Sequence, residues 1–590
     1  MNFSLRHFLF PLLIILITSF AQAATRPNIV VILTDDQGWG DLSIHGNTNL
    51  NTPNIDTLAT QGMELERFYV CPICSPTRAE FMTGRYNPRT GVRSASRGEE
   101  RMDLDETTVF EDFKAAGYTT AAFGKWHNGM QPPYHPNARG IDEYYGFCSG
   151  HWGSYYSPML EHNGKLVQGK GYITDDFTTR AMDFIEEKQD DPFFVYLPLC
   201  TPHSPMQVPE PWWNKFADNE LPLRARPDQQ ENLQHSRAAL AMVENIDWNV
   251  GRLMKKLDDL ELTGNTIVIY LSDNGPNGYR WNGGMKGRKG SVEEGGVRSP
   301  FFIRWPGTIQ SGSKTDTIAG SIDLRATLTD LCGIKTTGDL PMDGISLKPL
   351  LLQSEENWPE RLYVNHFKGK TSVRSQRFRL DFQGALFDML KDPGQRTDVS
   401  NKHPDVHKEL LAAQKHFDKT VASELPTTKT DERPFVIGHK DFDFTQLPAR
   451  DAEASGEIQR SNRAPNCSYF TNWVSTDDTI TWNAEVLESG KYNVQVYYTC
   501  PEEDLGSVVE LRFGDRAITR EVNIANDPPI VGPKLDRSDR GSESFVKDFK
   551  PLDLGVFDLE KGQHTLTLSA LEKPGNQVME MRLLMFNRVN

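Results

Sequence analysis

The stretch Asn28-Ile-Val-Val-Ile-Leu-Thr-Asp-Asp-Gln-Gly38 joins a continuous apolar, mostly β-branched run to two adjacent carboxylates. An apolar run of this length is typical of a strand that is buried on both faces of a parallel sheet. Asp35 and Asp36 are therefore expected at the carboxyl end of a central strand. Because ligands of open α/β sheets bind just beyond the carboxyl ends of the strands, this stretch predicts both the fold and the place of the functional site.

Three more segments repeat the pattern of an apolar strand followed by polar residues. They are Tyr118 to Phe123 before Gly124-Lys125-Trp126-His127, Phe193 to Leu199 before Thr201-Pro202-His203, and Thr266 to Leu271 before Ser272-Asp273-Asn274-Gly275. Segments with helical periodicity lie between the strands, most clearly at 107–116, 176–188 and 236–260. This alternation predicts an α/β domain, in which a doubly wound mixed sheet is sandwiched by helices.

The sequence changes character after residue 360, so the α/β domain is assigned to 24–360. Residues 361–421 combine short alternating segments at 362–367 and 372–382 with an amphipathic stretch at 405–421, which predicts a small antiparallel α+β C-terminal subdomain. Residues 422–465 are polar and rich in Pro, Asp and Arg, so they are interpreted as a linker.

The last part of the chain, residues 466–590, has the pattern of an appended β-sandwich. Its segments at 480–486, 490–498, 507–513, 517–524 and 564–570 alternate with period two. The linker before it contains apolar side chains such as Phe435, Ile437 and Leu447, too many for a freely solvated tether. We therefore expect the β-sandwich to dock against the α/β domain.

Composition and the N-terminal residues limit the class of protein. A chain of 590 residues, 38% hydrophobic and 24% charged, is globular and too long for one core. Residues 1–23 combine Arg6, an apolar run to Phe20 and Ala21-Gln22-Ala23, as a cleavable secretory signal peptide does, so we expect a periplasmic or secreted protein with no membrane anchor. An uncleaved anchor fits less well because the apolar run is shorter than a bilayer-spanning helix. The formal net charge of −16 argues against nucleic acid as the partner.

The seven cysteines do not form the pattern of a disulfide-rich scaffold. Cys467 and Cys500 flank strand-like segments of the C-terminal region, so they are the pair that we expect to be bridged if a bridge forms. Cys148, Cys200 and Cys332 are interpreted as buried thiols.

The most specific motif in the chain surrounds Cys74. Cys74-Ser75-Pro76-Thr77-Arg78 continues as Ala79-Glu80-Phe81-Met82-Thr83-Gly84-Arg85. This run resembles the maturation signature of the type I sulfatases of the alkaline-phosphatase-like superfamily, and the resemblance extends over roughly residues 26–420. It implies that a formylglycine-generating maturation enzyme oxidises Cys74 to formylglycine, an aldehyde whose hydrate supplies the nucleophilic oxygen. Outside this context Cys74 would be interpreted as a small buried side chain.

Four side chains with hard oxygen ligands follow two of the predicted strands. Asp35 and Asp36 follow the first strand, and Asp273 and Asn274 follow the fourth, and such ligands suit Ca²⁺ or Mg²⁺ rather than zinc. Each pair alone is more often a helix cap or a turn, but their joint occurrence with the Cys74 motif favours a metal site. The resemblance to sulfatases implies one Ca²⁺, bound by these four residues and by the oxygen of modified Cys74.

Two lysines stand in further motifs that resemble those of sulfatases. Lys125 precedes His127 in Gly-Lys-Trp-His, where Asn128 replaces the family's leucine, a difference that we expect to affect packing more than chemistry. Lys289 begins Lys-Gly-Ser-Val-Glu-Glu-Gly-Gly-Val-Arg, and its downstream spacing fits the family phrase better than that of Lys286. The resemblance implies that both lysines neutralise charge on the sulfate.

The remaining catalytic candidates are an arginine and two histidines. Arg78 lies one turn into the helix that Cys74 begins, where it would orient the hydrated nucleophile. His203 stands in Thr-Pro-His-Ser-Pro, which by itself is typical of a loop or core histidine. The resemblance implies that His203 protonates the leaving oxygen and that His127 later removes a proton from the nucleophile.

Substrate-binding residues are marked less clearly. In the loop 148–158, His151 and Trp152 are candidates for contact with a sugar, although loop packing explains them equally well. Arg280 and Arg288 lie beside the metal-ligand motif and are candidates for holding a carboxylate or a second sulfate.

Together these motifs predict an exported, Ca²⁺-dependent sulfatase that acts on sulfated oligo- or polysaccharide. Export and the appended β-sandwich favour algal polysaccharides such as ulvan or carrageenan, and host glycosaminoglycans are the alternative. A second enzyme class comprises the phosphate or phosphonate monoester hydrolases of the same superfamily, some of which also use formylglycine. A glycan-binding protein with an inactive catalytic domain is disfavoured, because every expected catalytic position is filled.

Overall fold

A ten-stranded mixed sheet forms the centre of the N-terminal region in the computed structural model, which describes residues 26–354, 358–428 and 430–589. Its strands lie in the order Ser313–Thr315, Met63–Leu65, Phe301–Arg304, Thr266–Ser272, Asn28–Thr34, Phe193–Pro198, Thr119–Lys125, Glu143–Phe147, Met159–His162 and Lys165–Gln168. The five strands from Thr266–Ser272 to Glu143–Phe147 run parallel. All four strands that the sequence predicts belong to this parallel group, and the predicted α/β class is confirmed. The expected signal peptide lies outside the described residues.

Helices cover both faces of the sheet because its central strand is apolar on both sides. Val30 and Ile32 pack into one hydrophobic cluster, whereas Ile29, Val31 and Leu33 pack into the other. The helices of the first face are Pro53–Gln61, Ile173–Glu187, Glu210–Trp213 and Leu233–Asp259, and those of the second are Cys74–Thr83, Val109–Ala115, Leu324–Leu331 and Lys348–Leu351. A small sheet of Arg298–Ser299, Phe68–Tyr69 and Ala319–Gly320 and a short helix Glu294–Val297 lie beside the second face. None of the described helices is long and apolar enough to cross a membrane.

The predicted C-terminal subdomain is a four-stranded antiparallel sheet covered by one helix. Its strands are Tyr363–Phe367, Lys370–Arg374, Phe378–Leu380 and Leu386–Asp388, and the helix is Pro404–Thr420. The single segment expected at 372–382 is wrong, because residues 375–377 turn the chain between two strands. Leu410 and Phe417 of the helix pack on Val373 and Leu380 of the sheet.

The C-terminal region is a β-sandwich of two six-stranded sheets. One contains Phe435–Ile437, Thr479–Val486, Gly562–Glu572, Val508–Phe513, Arg516–Glu521 and Glu453–Ala454, and the other contains Gln459–Arg460, Phe470–Thr471, Glu580–Arg588, Gly490–Thr499, Lys550–Leu559 and Phe444–Pro448. Their facing side chains form one hydrophobic cluster around Trp473 and Trp482. The sequence predicts five of these strands and does not predict Lys550–Leu559 and Glu580–Arg588.

The interpretation of 422–465 as a linker is wrong from Phe435 onward. Phe435–Ile437 pairs in parallel with Thr479–Val486, and Phe444–Pro448 pairs with Glu580–Arg588. Phe435, Ile437 and Leu447 are buried in the core of the β-sandwich. Strands of three to five residues are too short to show a period in a polar sequence, so only the partner strands reveal them.

The expected bridge between Cys467 and Cys500 is also absent, since all seven cysteines are free thiols. Cys467 faces the α/β domain, where its thiol contacts the carbonyl oxygen of His151. Cys500 lies near Pro501 and Val578, inside the β-sandwich region. The two thiols therefore face different surroundings, which the strand pattern did not indicate.

Candidate active site

The carboxyl ends of Asn28–Thr34 and Thr266–Ser272 place the four predicted metal ligands together. Thr34 is paired with Ser272 in the sheet, and the amide of Asp273 donates to the carbonyl oxygen of Thr34 at 3.0 Å. Asn274 Nδ2 donates to Asp36 Oδ1 at 2.8 Å. The four side chains are buried. The register of two neighbouring strands therefore joins residues that are distant in sequence.

This arrangement fits a hard divalent cation. Ligand atoms of Asp35, Cys74 and Asp273 lie within 4.8 Å of one another. Asp35 Oδ1 and Asn274 Oδ1 are buried and accept no hydrogen bond from the described residues. Buried oxygens without donors are costly unless a cation or another group satisfies them, and carboxylate and amide oxygens are the ligands that Ca²⁺ and Mg²⁺ prefer.

Burial and nearby charges shift the pKa values of Asp35 and Asp273 in opposite directions. Burial, and then the neighbouring Asp35, raise the pKa of Asp273 to about 7, although Arg78 and Lys125 oppose the shift. Burial also acts to raise the pKa of Asp35, but Lys125, His203, Lys289 and Arg78 together lower it below its ordinary value. A bound cation would favour ionisation of both carboxylates.

Cys74 is the first residue of a buried helix, Cys74–Thr83, that points its N-terminus at these carboxylates. The Thr77 hydroxyl donates to the carbonyl oxygen of Asp273 at 2.6 Å, which ties the first turn of the helix to the strand end. Arg78 donates to Asp273 Oδ2 at 2.8 Å and to the carbonyl oxygen of Lys125 at 2.6 Å. Burial raises the pKa of the Cys74 thiol, so the unmodified residue would be a poor nucleophile at neutral pH.

The two predicted lysines complete a ring of charges. Lys125 Nζ lies 2.6 Å from Asp35 Oδ2, and Lys289 Nζ lies 2.7 Å from Asp36 Oδ1. Lys286, the alternative, instead lies 3.5 Å from Glu293. The structure therefore brings Lys289 to the site and places Lys286 outside it.

The two predicted histidines are held by backbone carbonyl groups. His127 Nε2 lies 2.8 Å from the carbonyl oxygen of Ala95, and His203 Nδ1 lies 2.7 Å from that of Ser204. Since a carbonyl oxygen only accepts, these nitrogens carry protons. That leaves His127 Nδ1, which is buried and has no partner among the described residues, and His203 Nε2, which lies 3.6 Å from Asp36 Oδ2.

The surroundings of both imidazoles favour the neutral form of the ring. Burial lowers the pKa of His127 well below its ordinary value, and Lys125 adds to the shift. Burial and Lys289 likewise lower the pKa of His203, although Asp36 opposes them. A neutral His127 with a free lone pair on Nδ1 is suited to accept a proton.

Three positions at the site have unusual backbone geometry or an unexpected contact. Asp36 and His127 adopt left-handed φ angles of 68° and 65°, a conformation that is uncommon outside glycine and recurs at functional sites. Asn128, which we expected to affect packing more than chemistry, also makes a polar contact. Asn128 is buried and its Nδ2 donates to the carbonyl oxygen of Ser75 at 3.2 Å, in the first turn of the Cys74 helix.

The four substrate-binding candidates have different surroundings. The His151 ring is buried, with its centroid 5.6 Å from that of His203. Trp152 is half-buried and stacks on Phe147 at 4.9 Å. Arg288 lies over the ring of Tyr279, and no carboxylate of the described residues pairs with it.

The fourth candidate, Arg280, does not fit its predicted role. It is buried, its Nε lies 2.7 Å from Asp41 Oδ1, and it also donates to the carbonyl oxygen of Asp36 at 3.1 Å. A guanidinium that is committed to a buried carboxylate is not available to a substrate anion. Arg280 therefore holds the loop that carries Asp36.

The β-sandwich also reaches the site, which no motif indicated. Arg450 lies 2.7 Å from Glu100, and both side chains are buried. Glu543 Oε2 lies 3.7 Å from His151 Nε2. Neither Arg450 nor Glu543 belongs to a recognisable motif, and the only signal in the sequence was the apolar content of 435–447.

Comparisons with known proteins agree with this geometry. The Sulfatase family model matches residues 27–334, and a model of the N-sulphoglucosamine sulphohydrolase C-terminal region matches 288–418. N-acetylgalactosamine-6-sulfatase of Mus musculus is 33% identical in an alignment 371 positions long, which covers 57% of this chain and 68% of that protein. Arylsulfatase A of Homo sapiens is 30% identical in an alignment 476 positions long, which covers 69% of this chain and 89% of that protein.

A solved structure, that of Ps i-CgsB in complex with k-i-k-neocarrahexaose, superimposes with a TM-score of 0.61 at 28% identity. The superposition covers 69% of this chain and 95% of the chain of that solved structure. The β-sandwich lies outside both family models. The family model spans more than half of the chain and includes the Cys74 motif, the paired aspartates and both histidines, so the chain belongs to the sulfatase family and is a sulfuric ester hydrolase.

Proposed function

We propose that the protein is a Ca²⁺-dependent, formylglycine-dependent sulfatase that removes sulfate from sulfated oligosaccharides. The observation that carries the proposal is the position of Cys74, at a helix N-terminus with its sulfur within 4.8 Å of ligand atoms of Asp35 and Asp273. A nucleophile in this position lies between a cation site and a helix dipole, both of which stabilise negative charge.

Residue 74 supplies the nucleophile in this proposal. After oxidation to formylglycine and hydration, one hydroxyl group releases its proton to solvent, and its oxygen attacks sulfur while the bond from sulfur to the sugar oxygen breaks. His203 first takes up a proton on Nε2, which Asp36 favours and burial opposes, and then donates it to the departing oxygen, while the hydrogen bond from Nδ1 to Ser204 fixes the ring for this transfer. His127 then accepts the proton of the second hydroxyl on Nδ1, sulfate leaves and the aldehyde forms again.

The charged residues hold the sulfate during both steps. Lys125 pairs with Asp35 and Lys289 pairs with Asp36, and both lysines would bind the non-bridging oxygens. Arg78 fixes Asp273 and the carbonyl group of Lys125, so it orients groups around residue 74. Asp35, Asp36, Asp273 and Asn274 would hold one Ca²⁺, which would neutralise charge on the nucleophile and on the sulfate.

A cavity next to the site supports an oligosaccharide as the substrate. It has a volume of about 230 Å³ and lies between the α/β domain and the β-sandwich. Trp152, Tyr156 and Arg582 are among its lining residues, and aromatic rings with cations suit sugar rings that carry anionic groups. Trp152, which follows His151 in the chain, places one wall of the cavity near that residue.

The sugar is proposed as a fragment of an algal polysaccharide such as carrageenan or ulvan. The similar solved structure holds a neocarrahexaose, which supports this class. A host glycosaminoglycan is the second candidate, and the similarity to N-acetylgalactosamine-6-sulfatase supports it. Export to the periplasm or beyond and maturation by a formylglycine-generating enzyme complete the proposal, on the evidence of residues 1–23 and of the Cys74 motif.

Two measurements on one sample test the reaction. Mass spectrometry of the tryptic peptide Phe68 to Arg78 should show an aldehyde in place of the Cys74 thiol, and the sample should cleave an aryl sulfate faster than the matching aryl phosphate. A panel of carrageenan, ulvan and glycosaminoglycan oligosaccharides then identifies the sugar. Full activity with only thiol at residue 74 would contradict the mechanism, and faster cleavage of the phosphate would assign the protein to phosphate monoester hydrolysis.

A further inference from the structure

A loop of the β-sandwich is hydrogen-bonded to the catalytic domain beside the active site. Residues 532–546 lie between the strands Arg516–Glu521 and Lys550–Leu559. The amide of Arg537 donates to the carbonyl oxygen of Met206 at 2.8 Å, and Arg540 donates to that of Gly153 at 2.9 Å. Gln207 donates to Asp536 at 2.8 Å. The loop therefore contacts the segments that follow His151 and His203.

Contacts within the loop make it rigid. Arg540 pairs with Asp536 at 2.7 Å, donates to the carbonyl oxygen of Ser544 at 2.9 Å and lies 3.9 Å from the centre of the Phe545 ring. Glu543 lies between Arg540 and Ser544 in the chain. Its carboxylate is consequently held in one place rather than exposed on a mobile loop.

Two lysines of the site influence the Glu543 carboxyl group. Burial raises the pKa of Glu543, and Lys289 and Lys125 are the first two groups that oppose this shift. Both lysines belong to the charged ring around Cys74. The Glu543 carboxylate is therefore within electrostatic range of the sulfate site.

Glu543 and His151 form an unsatisfied polar pair. Glu543 Oε2 and both ring nitrogens of His151 are buried and have no hydrogen-bond partner among the described residues. The gap of 3.7 Å between Oε2 and Nε2 is too long for a good direct hydrogen bond. Buried polar atoms cost free energy when they have no partner, and a ligand group that bonded to both of them would remove that cost.

A hydroxyl group matches the two atoms. It can donate its proton to the carboxylate and accept one from the imidazole, whereas a sulfate or carboxylate at the same place would be repelled by Glu543. The His151 ring is 5.6 Å from the ring of His203, the group that serves the leaving oxygen, so the hydroxyl would belong to the same sugar as the sulfate.

We propose that Glu543 of the β-sandwich and His151 of the catalytic domain together form a subsite for a hydroxyl group of the sulfated sugar, and that this subsite rejects a second anionic substituent there. The inference rests on the proposed function. It assigns the β-sandwich a specificity role within the active site.

Kinetics with two kinds of substrate test this subsite. The fastest-cleaved saccharide of the oligosaccharide panel is compared with para-nitrophenyl sulfate, which has no sugar hydroxyl. Glu543→Gln and Glu543→Ala should raise KM for the saccharide by roughly 10- to 100-fold, as expected for loss of a hydrogen bond to a charged group, and leave the aryl sulfate unchanged. Binding of the desulfated saccharide, measured by calorimetry, should weaken by a similar factor.

Asp539→Asn is the matched control, because it removes one negative charge from an exposed position of the same loop. It should leave all these values unchanged. Equal loss on both substrates with a lower melting temperature would show a purely structural role and overturn the subsite, and so would unchanged KM and unchanged product binding. Failure of the matured wild-type enzyme to cleave any sulfate would instead overturn the proposed function.

Discussion

The α/β domain and the β-sandwich contribute to the same site in different ways. In the α/β domain, the functional side chains follow buried strands within a few residues, as Asp35 follows Thr34 and Asp273 follows Ser272. In the β-sandwich, the residues that contact the α/β domain near the site, Arg450 and Glu543, come from connections outside the long paired strands. The first arrangement leaves a motif in the sequence and the second does not, because loop residues need no fixed spacing to reach a neighbour.

The interface between the two regions is polar and buried. Arg101 donates to the carbonyl oxygen of Pro434 at 2.7 Å and lies 3.2 Å from Asp431. Gln131 donates to the carbonyl oxygen of Gln446 at 2.9 Å. Separation of the two regions would exchange these contacts for contacts with water. The expected docking of the β-sandwich agrees with these contacts.

The largest effect is expected at the metal site of the α/β domain. Asp35→Asn removes one charged ligand while it keeps the size of the side chain, so we expect activity to fall by roughly 10³- to 10⁴-fold through loss of the cation. Metal content measured by mass spectrometry should fall in parallel, and the melting temperature of the β-sandwich should not change. Asp339→Asn, at an exposed position, is the control. Loss of activity with full metal content would remove Asp35 from the ligand set.

A smaller effect is expected at the interface. Arg450→Ala leaves the buried carboxylate of Glu100 without its cation, so we expect a loss of roughly 3–5 kcal/mol in the free energy of unfolding. Both regions should then unfold at lower denaturant concentration. Arg463→Ala, which removes an exposed arginine of the β-sandwich, should change little. A loss that is confined to the β-sandwich would mean that the two regions are stable independently.

The smallest effect concerns pH and a carboxyl group inside the α/β domain. Burial raises the pKa of Glu80 from 4.5 to about 7 in the folded protein. A carboxyl group whose pKa is higher in the folded protein than in the unfolded protein stabilises the folded state. This stabilisation is complete at pH values below the unfolded-state pKa and is lost as pH rises through the folded-state pKa. Between about pH 5 and about pH 8 the wild type should thus lose roughly 3 kcal/mol relative to Glu80→Gln. Denaturant unfolding of both proteins at the two pH values measures the difference, and parallel curves would show that Glu80 does not titrate in this range.

The sequence predicted much of the catalytic region correctly. The central strands were located within one or two residues, because long apolar runs leave little choice of structure. The structure brings together Asp35, Asp36, Cys74, Arg78, Lys125, His127, His203, Asp273, Asn274 and Lys289, whose roles stay part of the proposal. The predicted boundary at 465 failed because the short strand Phe435–Ile437 is stabilised by pairing with Thr479–Val486 and not by its own pattern.

The sequence by itself determined the parallel sheet, the motifs at its strand ends and the family. These features are local, since each depends on residues that are neighbours along one strand or one helical turn. Only the tertiary structure decided that Arg280 is committed to Asp41, that Cys467 and Cys500 are apart, and that Glu543 faces His151. Contacts of that kind join segments that are far apart in the chain, and their energies depend on burial and on partner atoms, which a linear pattern does not contain.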